Sequence, residues 1–172
     1  MGDQQYGISP DQLDYYANEI KSIIDKGVET SIVIGGGNIY RGLQGAAQGM
    51  DRVQGDYMGM LATIINSMAL QSKLESIGIP AALLSGMTIE GITKKAVRRS
   101  IKENMSKGKV AILAGGTGNP FFTTDTAAAL RAAEMEADVI LKGTRVDGVY
   151  TADPEKDPNA TKYETVSFDE AI

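Results

Sequence analysis

Two glycine clusters and one lysine are the residues best placed, by type and spacing, to handle an anion. Gly35-Gly36-Gly37-Asn38 follows the run Val28 to Ile34, and Gly115-Gly116-Thr117-Gly118-Asn119-Pro120 follows Val110 to Leu113. Successive glycines at a strand end let backbone N–H groups approach an anion where a Cβ would obstruct. The second cluster runs on through Phe121-Phe122 to Thr123-Thr124-Asp125 at a helix start, where the positive end of the helix adds to the field. Arg41 could grip phosphate oxygens. Lys142, directly after Val139-Ile140-Leu141, is placed to meet the charge of a transferred phosphoryl group. Each feature has a plainer structural alternative: a tight strand-to-helix turn, an N-capped helix and a snorkelling lysine. Neither loop fits a standard nucleotide fingerprint. Leu43 and Gln44 replace the Lys and Ser/Thr of a P-loop, and Phe121 replaces the third glycine of G-x-G-x-x-G.

Composition narrows the chemistry further. The chain has 172 residues, 42% hydrophobic and 23% charged, enough for one domain with a core. Seventeen basic and 22 acidic side chains give a net charge of −5, which offers no reason to expect nucleic-acid or anionic-membrane binding. Without cysteine there is no disulfide frame, thiolate nucleophile or Cys-ligated metal. Without histidine there is no Ser-His-Asp machinery, no His-ligated metal and no ordinary general base near pH 7. Carboxylates, Lys/Arg, hydroxyls and backbone N–H groups remain, and phosphoryl transfer is the reaction class that suits them. No apolar run spans a membrane, and the N-terminus lacks the regions of a signal peptide, so a cytoplasmic location is expected.

The elements that must position these residues follow from pattern. Ser9-Pro10-Asp11 starts a helix as N-cap, N1 and first-turn acid, and Gly27 closes it. A long helix, apolar on most faces and expected to be largely buried, runs from about Gly55 to Ile77, with Asp56 in its first turn. Ala81 to Leu84 is a strand, Lys94 to Ser106 a basic amphipathic helix, and Val110 to Leu113 a buried strand. Thr123 or Thr124 caps the next helix, and Val139-Ile140-Leu141 reads as one more buried strand. Asp147 and Asp153 read as turn residues. Apolar strands alternating with helices imply an α/β fold with a parallel sheet covered on both faces. Ligands of such sheets sit beyond the strands' carboxyl ends, so the loops at 35–38, 115–119 and 142–144 are expected to converge on one rim.

The strings VIGGGNIYRG (33–42), GMDRVQGDYMGMLATIINSMALQ (49–71) and the stretch from Ala114 to Pro158 together resemble the bacterial uridylate (UMP) kinases of the amino-acid-kinase superfamily. The resemblance implies a three-layer αβα sandwich around a mainly parallel sheet. It implies phosphoryl transfer from ATP to UMP with Mg2+, in pyrimidine nucleotide biosynthesis. It assigns UMP to Gly36, Asp56 (ribose) and the loop Thr117, Gly118, Asn119, Pro120, Phe121, Phe122, Thr123 and Thr124. ATP would fall to Gly37, Arg41, Thr144, Tyr150 and Asp153. Lys142 would neutralise the moving phosphoryl group, Asp125 would orient cationic groups around it, and Arg41 would assist. A homohexamer with GTP and UTP as effectors is implied, while the metal ligands stay unassigned. At this point a superfamily kinase acting on a carboxylate or carbamate, and a non-catalytic nucleotide sensor, remain open. Residues 1–172 are expected to form a single domain incomplete at both ends. The family's K-x-S-G-E motif would precede Met1, and Ser167-x-x-Glu170 is a capping box with little helix after it.

Overall fold

The computed structural model describes residues 7–40, 49–144 and 146–171. Arg41 therefore lies outside the described residues, as do Leu43, Gln44 and the first six positions. The chain forms two compact units, Met1–Ile140 and Leu141–Ile172.

In the first unit, helix α1 (Pro10–Ile24) begins as expected: the Ser9 hydroxyl accepts the Gln12 N–H at 3.4 Å, and Gly27 follows the helix with φ +81°. Strand β1 is Ser31–Val33, shorter than the run from Val28 to Ile34, because only these residues pair along the neighbouring strand. The long helix α2 is Arg52–Ser76. It starts earlier than expected because the Asp51 carboxylate accepts the Gln54 N–H at 3.0 Å. Strand β2 is Ala81–Ser85, β3 is Lys94–Lys95, helix α3 is Arg98–Met105, β4 is Val110–Ala114 and α4 is Thr124–Met135.

The four strands form one parallel sheet in the order β1-β4-β2-β3. Side chains of β4 alternate between two cores, as the two-residue period of a strand requires. Val110, Ile112 and Ala114 join Leu83 and the α1/α2 residues Ala17, Ile64, Leu70 and Leu74. Ala111 and Leu113 join Leu84, Ala96 and the α3 residue Ile101. Helices thus cover both faces, giving the expected αβα sandwich.

Three expectations are corrected. Lys94 and Lys95 do not open a helix. They pair beside Leu84 and Ser85 as an edge strand, and the Ala96 N–H donates to the Ser85 carbonyl at 2.8 Å. Lysines are a common protection on such edges. Helix α2 is not buried all round: Met58, Leu61, Ile65 and Met68 lie exposed along one side. Val139-Ile140-Leu141 forms no strand, and its residues are 66%, 55% and 80% exposed. Apolar character makes a segment able to be a strand, but a strand also needs a neighbour to complete its hydrogen bonds.

The second unit is turn-rich, as the Asp-Pro steps suggest. Tyr150 and Lys162 form an isolated antiparallel bridge. A short helix α5 (Phe168–Ala171) opens on the expected capping box: the Ser167 N–H donates to Glu170 Oε2 at 3.0 Å, and the Glu170 N–H to Ser167 Oγ at 3.3 Å.

Candidate functional site

Because β1 and β4 are adjacent and parallel, the loops that leave their carboxyl ends start side by side. They meet at a cleft of about 210 Å³ over the first turns of α2. Gly36 and Gly37 form one wall, and Asp56, Gly59 and Thr63 of α2 form the floor. Gly116, Thr117, Asn119, Phe122, Thr123 and Thr124 close the other side.

The second loop owes its shape to left-handed backbone. Gly115, Gly116 and Gly118 have φ values of +66°, +56° and +84°. A side chain on Gly118 would also strike the backbone at Gly86, with a Cβ 2.5 Å from the Gly86 oxygen. One on Gly115 would run into the Ser85 hydroxyl. The loop is therefore packed against the carboxyl end of β2 at backbone distance. The Thr63 hydroxyl fixes its start: it donates to the Met60 carbonyl at 2.7 Å and accepts the Gly115 N–H at 2.8 Å. The loop ends on α4, where the Thr123 hydroxyl caps the Thr126 N–H at 3.1 Å. Thr123 and Thr124 thus bring the positive end of α4 to the cleft. Asp125 follows in the first turn of α4.

The first loop is built differently. Gly36 does not have a positive φ. A Cβ there would lie 2.8 Å from Ala62 Cβ, 2.8 Å from the Gly59 carbonyl and 2.9 Å from the Thr63 nitrogen. Its glycine is required by close packing on α2. Side chains hold the loop there. Asn66 Nδ2 donates to the Gly35 carbonyl at 2.8 Å and to Asn38 Oδ1 at 2.6 Å, and Asn38 Nδ2 donates to the Gly7 carbonyl at 2.7 Å.

Asp56 joins the floor to the second loop. Its carboxylate accepts the Phe121 N–H at 2.8 Å and the Arg52 Nε–H at 2.9 and 3.0 Å. Phe121 has φ +70°, a conformation a bulky residue adopts at a cost. Phe121 and Phe122 are both exposed.

The remaining expected residues lie in the second unit. Lys142 and Thr144 are exposed in irregular chain with no strand before them. The Tyr150 hydroxyl donates to Asp147 at 2.6 Å, and Lys162 Nζ donates to the same carboxylate at 2.8 Å. These two partners hold the Asp147 carboxyl down at about 2. Asp153 closes a turn by accepting the Glu155 N–H at 3.1 Å and pairs with Lys156 at 2.9 Å.

Among the described residues the cleft is lined by no lysine or arginine. Arg41 follows Tyr40, a lining residue, directly in sequence. No group of three or more carboxylates close enough to hold a metal occurs among the described residues. Magnesium needs less than that, since it commonly takes one or two carboxylates and borrows phosphate oxygens.

Thr63 and Asn66 escaped the sequence reading. Their signal was present: two polar residues three apart on the otherwise apolar face of a helix that faces glycine loops.

The Amino acid kinase family profile matches residues 3–172. A uridylate kinase of Phocaeicola vulgatus is 56% identical over 172 residues, covering 100% of this chain and 73% of that protein. The crystal structure of UMP kinase from Ureaplasma parvum superposes with a TM-score of 0.90 at 40% identity, over 99% of this chain and 73% of that one. The UMP kinase from Bacillus anthracis gives 0.85 at 38% identity, over 94% and 67%.

Proposed function

The chain belongs to the amino acid kinase family, and from that premise we propose that it is a uridylate kinase, moving the γ-phosphoryl group of ATP onto UMP to give UDP and ADP. The observation that carries this reading is one cleft uniting Gly36, Asp56 and the loop at 116–124 in a chain 56% identical throughout to a uridylate kinase. In this reading residues 1–172 belong to one amino-acid-kinase-like domain.

In this reading UMP occupies the cleft. Its ribose meets Asp56, and its base and phosphate meet Gly36 and the residues from Thr117 to Thr124. Left-handed glycines and the start of α4 supply backbone N–H groups, which suit an anion without the desolvation cost of a buried cation. ATP falls to Gly37, Arg41, Thr144, Tyr150 and Asp153. The Asp147 contact anchors the Tyr150 hydroxyl and so fixes its ring.

The phosphate of UMP is the nucleophile and is largely ionised near neutrality. No side-chain base is needed, which is why a chain without histidine suffices. A loose, metaphosphate-like transition state asks for alignment and positive charge. Arg41 and Lys142 provide that charge, and Asp125 orients the cationic groups. Magnesium, bound with ATP, would neutralise charge on the β- and γ-phosphates.

The exposed stripe Met58, Leu61, Ile65 and Met68 supports a homo-oligomer, a hexamer by resemblance, in which a second copy covers it. GTP and UTP are effectors in the same reading. No helix among the described residues is long and apolar enough to cross a membrane, and a cytoplasmic location is part of the proposal.

The test is isotope transfer in the full-length protein. Label from γ-labelled ATP should appear in UDP when UMP is supplied. Label passing instead to aspartate or acetylglutamate, or to neither class of acceptor, would refute it.

A further inference from the structure

Arg52 is hard to explain as part of its helix. It is the first residue of α2, where the unpaired N–H groups make a positive end and a cation is disfavoured. Its partner Asp56 lies one turn further on, so the pair has the basic residue N-terminal, the weaker orientation for such pairs. The Arg52 side chain is 44% exposed, and an ion pair this open to water adds little stability.

What Arg52 does instead is converge twice on the same point of the cleft. Its Nε–H is shared between both oxygens of Asp56, at 2.9 and 3.0 Å. Its guanidinium carbon lies 5.7 Å from the centre of the Phe121 ring, within cation–π range. Asp56 in turn holds the N–H of Phe121 at 2.8 Å, and Phe121 sits in the costly left-handed conformation at φ +70°. Arg52, Asp56 and Phe121 thus close a ring of three contacts that ties the first turn of α2 to the loop at 117–124. The Asp56 side chain is only 15% exposed and lines the cleft. An ionised carboxylate offers about four acceptor positions. The shared Arg52 hydrogen and the Phe121 hydrogen leave capacity for a further donor.

We propose that Arg52 is a positioning residue for the nucleotide acceptor: by clamping Asp56 and Phe121 it sets the carboxylate edge that receives the ribose hydroxyls. This rests on the uridylate kinase reading. Arg52 touches no reacting atom in it. Its contribution is to UMP recognition, and in particular to the preference for a ribose over a 2′-deoxyribose.

The experiment compares wild-type full-length protein with Arg52→Gln, Asp56→Asn and the double variant, using UMP and dUMP as acceptors. Arg52→Gln should raise KM for UMP about tenfold, the scale of one charge-assisted hydrogen bond, and leave KM for ATP within about twofold. The ratio of kcat/KM for UMP over dUMP should fall several-fold. In the Asp56→Asn background, Arg52→Gln should add almost nothing, because the group it positions is already gone. Phe121→Leu keeps the backbone N–H and removes only the ring, so it should show the same UMP-specific shift at smaller size, and it carries the test if Arg52→Gln unfolds. Equal changes in KM for UMP and ATP, or full additivity with Asp56→Asn, would overturn the proposal. Wild-type protein without UMP phosphorylation would instead defeat the uridylate kinase reading itself.

Discussion

The two glycine-rich loops look alike in sequence and are glycine-rich for different reasons. At 115–118 glycine supplies backbone conformation: three positive φ values in four residues, which side chains resist. At 35–37 the critical glycine, Gly36, supplies proximity. Its Cα presses on the backbone of α2 between Gly59 and Thr63. The restraints differ correspondingly. The first loop is pinned by the Asn66 and Asn38 amides, the second by the Thr63 hydroxyl and the Asp56 carboxylate. All but Asn38 of these anchors come from α2. One helix therefore sets the width of the cleft on both sides, and its packing against the sheet becomes the precision of the site.

Substitutions separate the two mechanisms. Gly118→Ala suffers both penalties, a φ of +84° and a Cβ at 2.5 Å from the Gly86 oxygen. It should cost about 3–4 kcal/mol in denaturant unfolding, the largest effect here. Gly36→Ala meets only the steric one, against helix backbone that cannot swing away, and should cost about 2–3 kcal/mol. Asn66→Ala should follow at about 2 kcal/mol, since it leaves the Gly35 carbonyl and the Asn38 amide short of a partner. Gly116→Ala should cost only about 1 kcal/mol, because its φ is +56° but its nearest neighbour is 3.8 Å away. If Gly36→Ala proved milder than Gly116→Ala, the distinction between proximity and conformation would fail.

A control away from both loops should be smaller still. Glu136, just past α4, accepts hydrogen bonds from Lys102 and Arg98, which hold its carboxyl down from the usual 4.5 to about 2. A lowered carboxyl stabilises the fold fully above about 4.5 and loses that contribution as pH falls towards about 2. Glu136→Gln should flatten unfolding stability across that window, matching wild type at its acid end near about 2 and costing at neutral pH only the small contribution of an exposed ion pair.

Local chemistry made much of this legible in the sequence. Ser9-Pro10-Asp11 marked α1, Thr123 marked α4, and Ser167 with Glu170 marked α5, because caps act within four residues. The glycine loops were legible as strand-end turns for the same reason. What was not legible depends on partners far along the chain. Lys94 and Lys95 are strand only because Leu84 and Ser85 lie beside them. Val139-Ile140-Leu141 has the composition of a strand and lacks the pairing. The packing role of Gly36 and the anchoring by Thr63 and Asn66 require α2 to lie across the loops, which no local pattern states.

The central claim is that UMP sits where these two loops face each other over α2. Amide hydrogen exchange on the full-length protein, with and without saturating UMP, addresses it residue by residue. The account predicts slowed exchange at Gly36–Gly37 and across residues 116–124, with α3 and the edge strand unchanged. Tight UMP binding with no protection at either loop would contradict it.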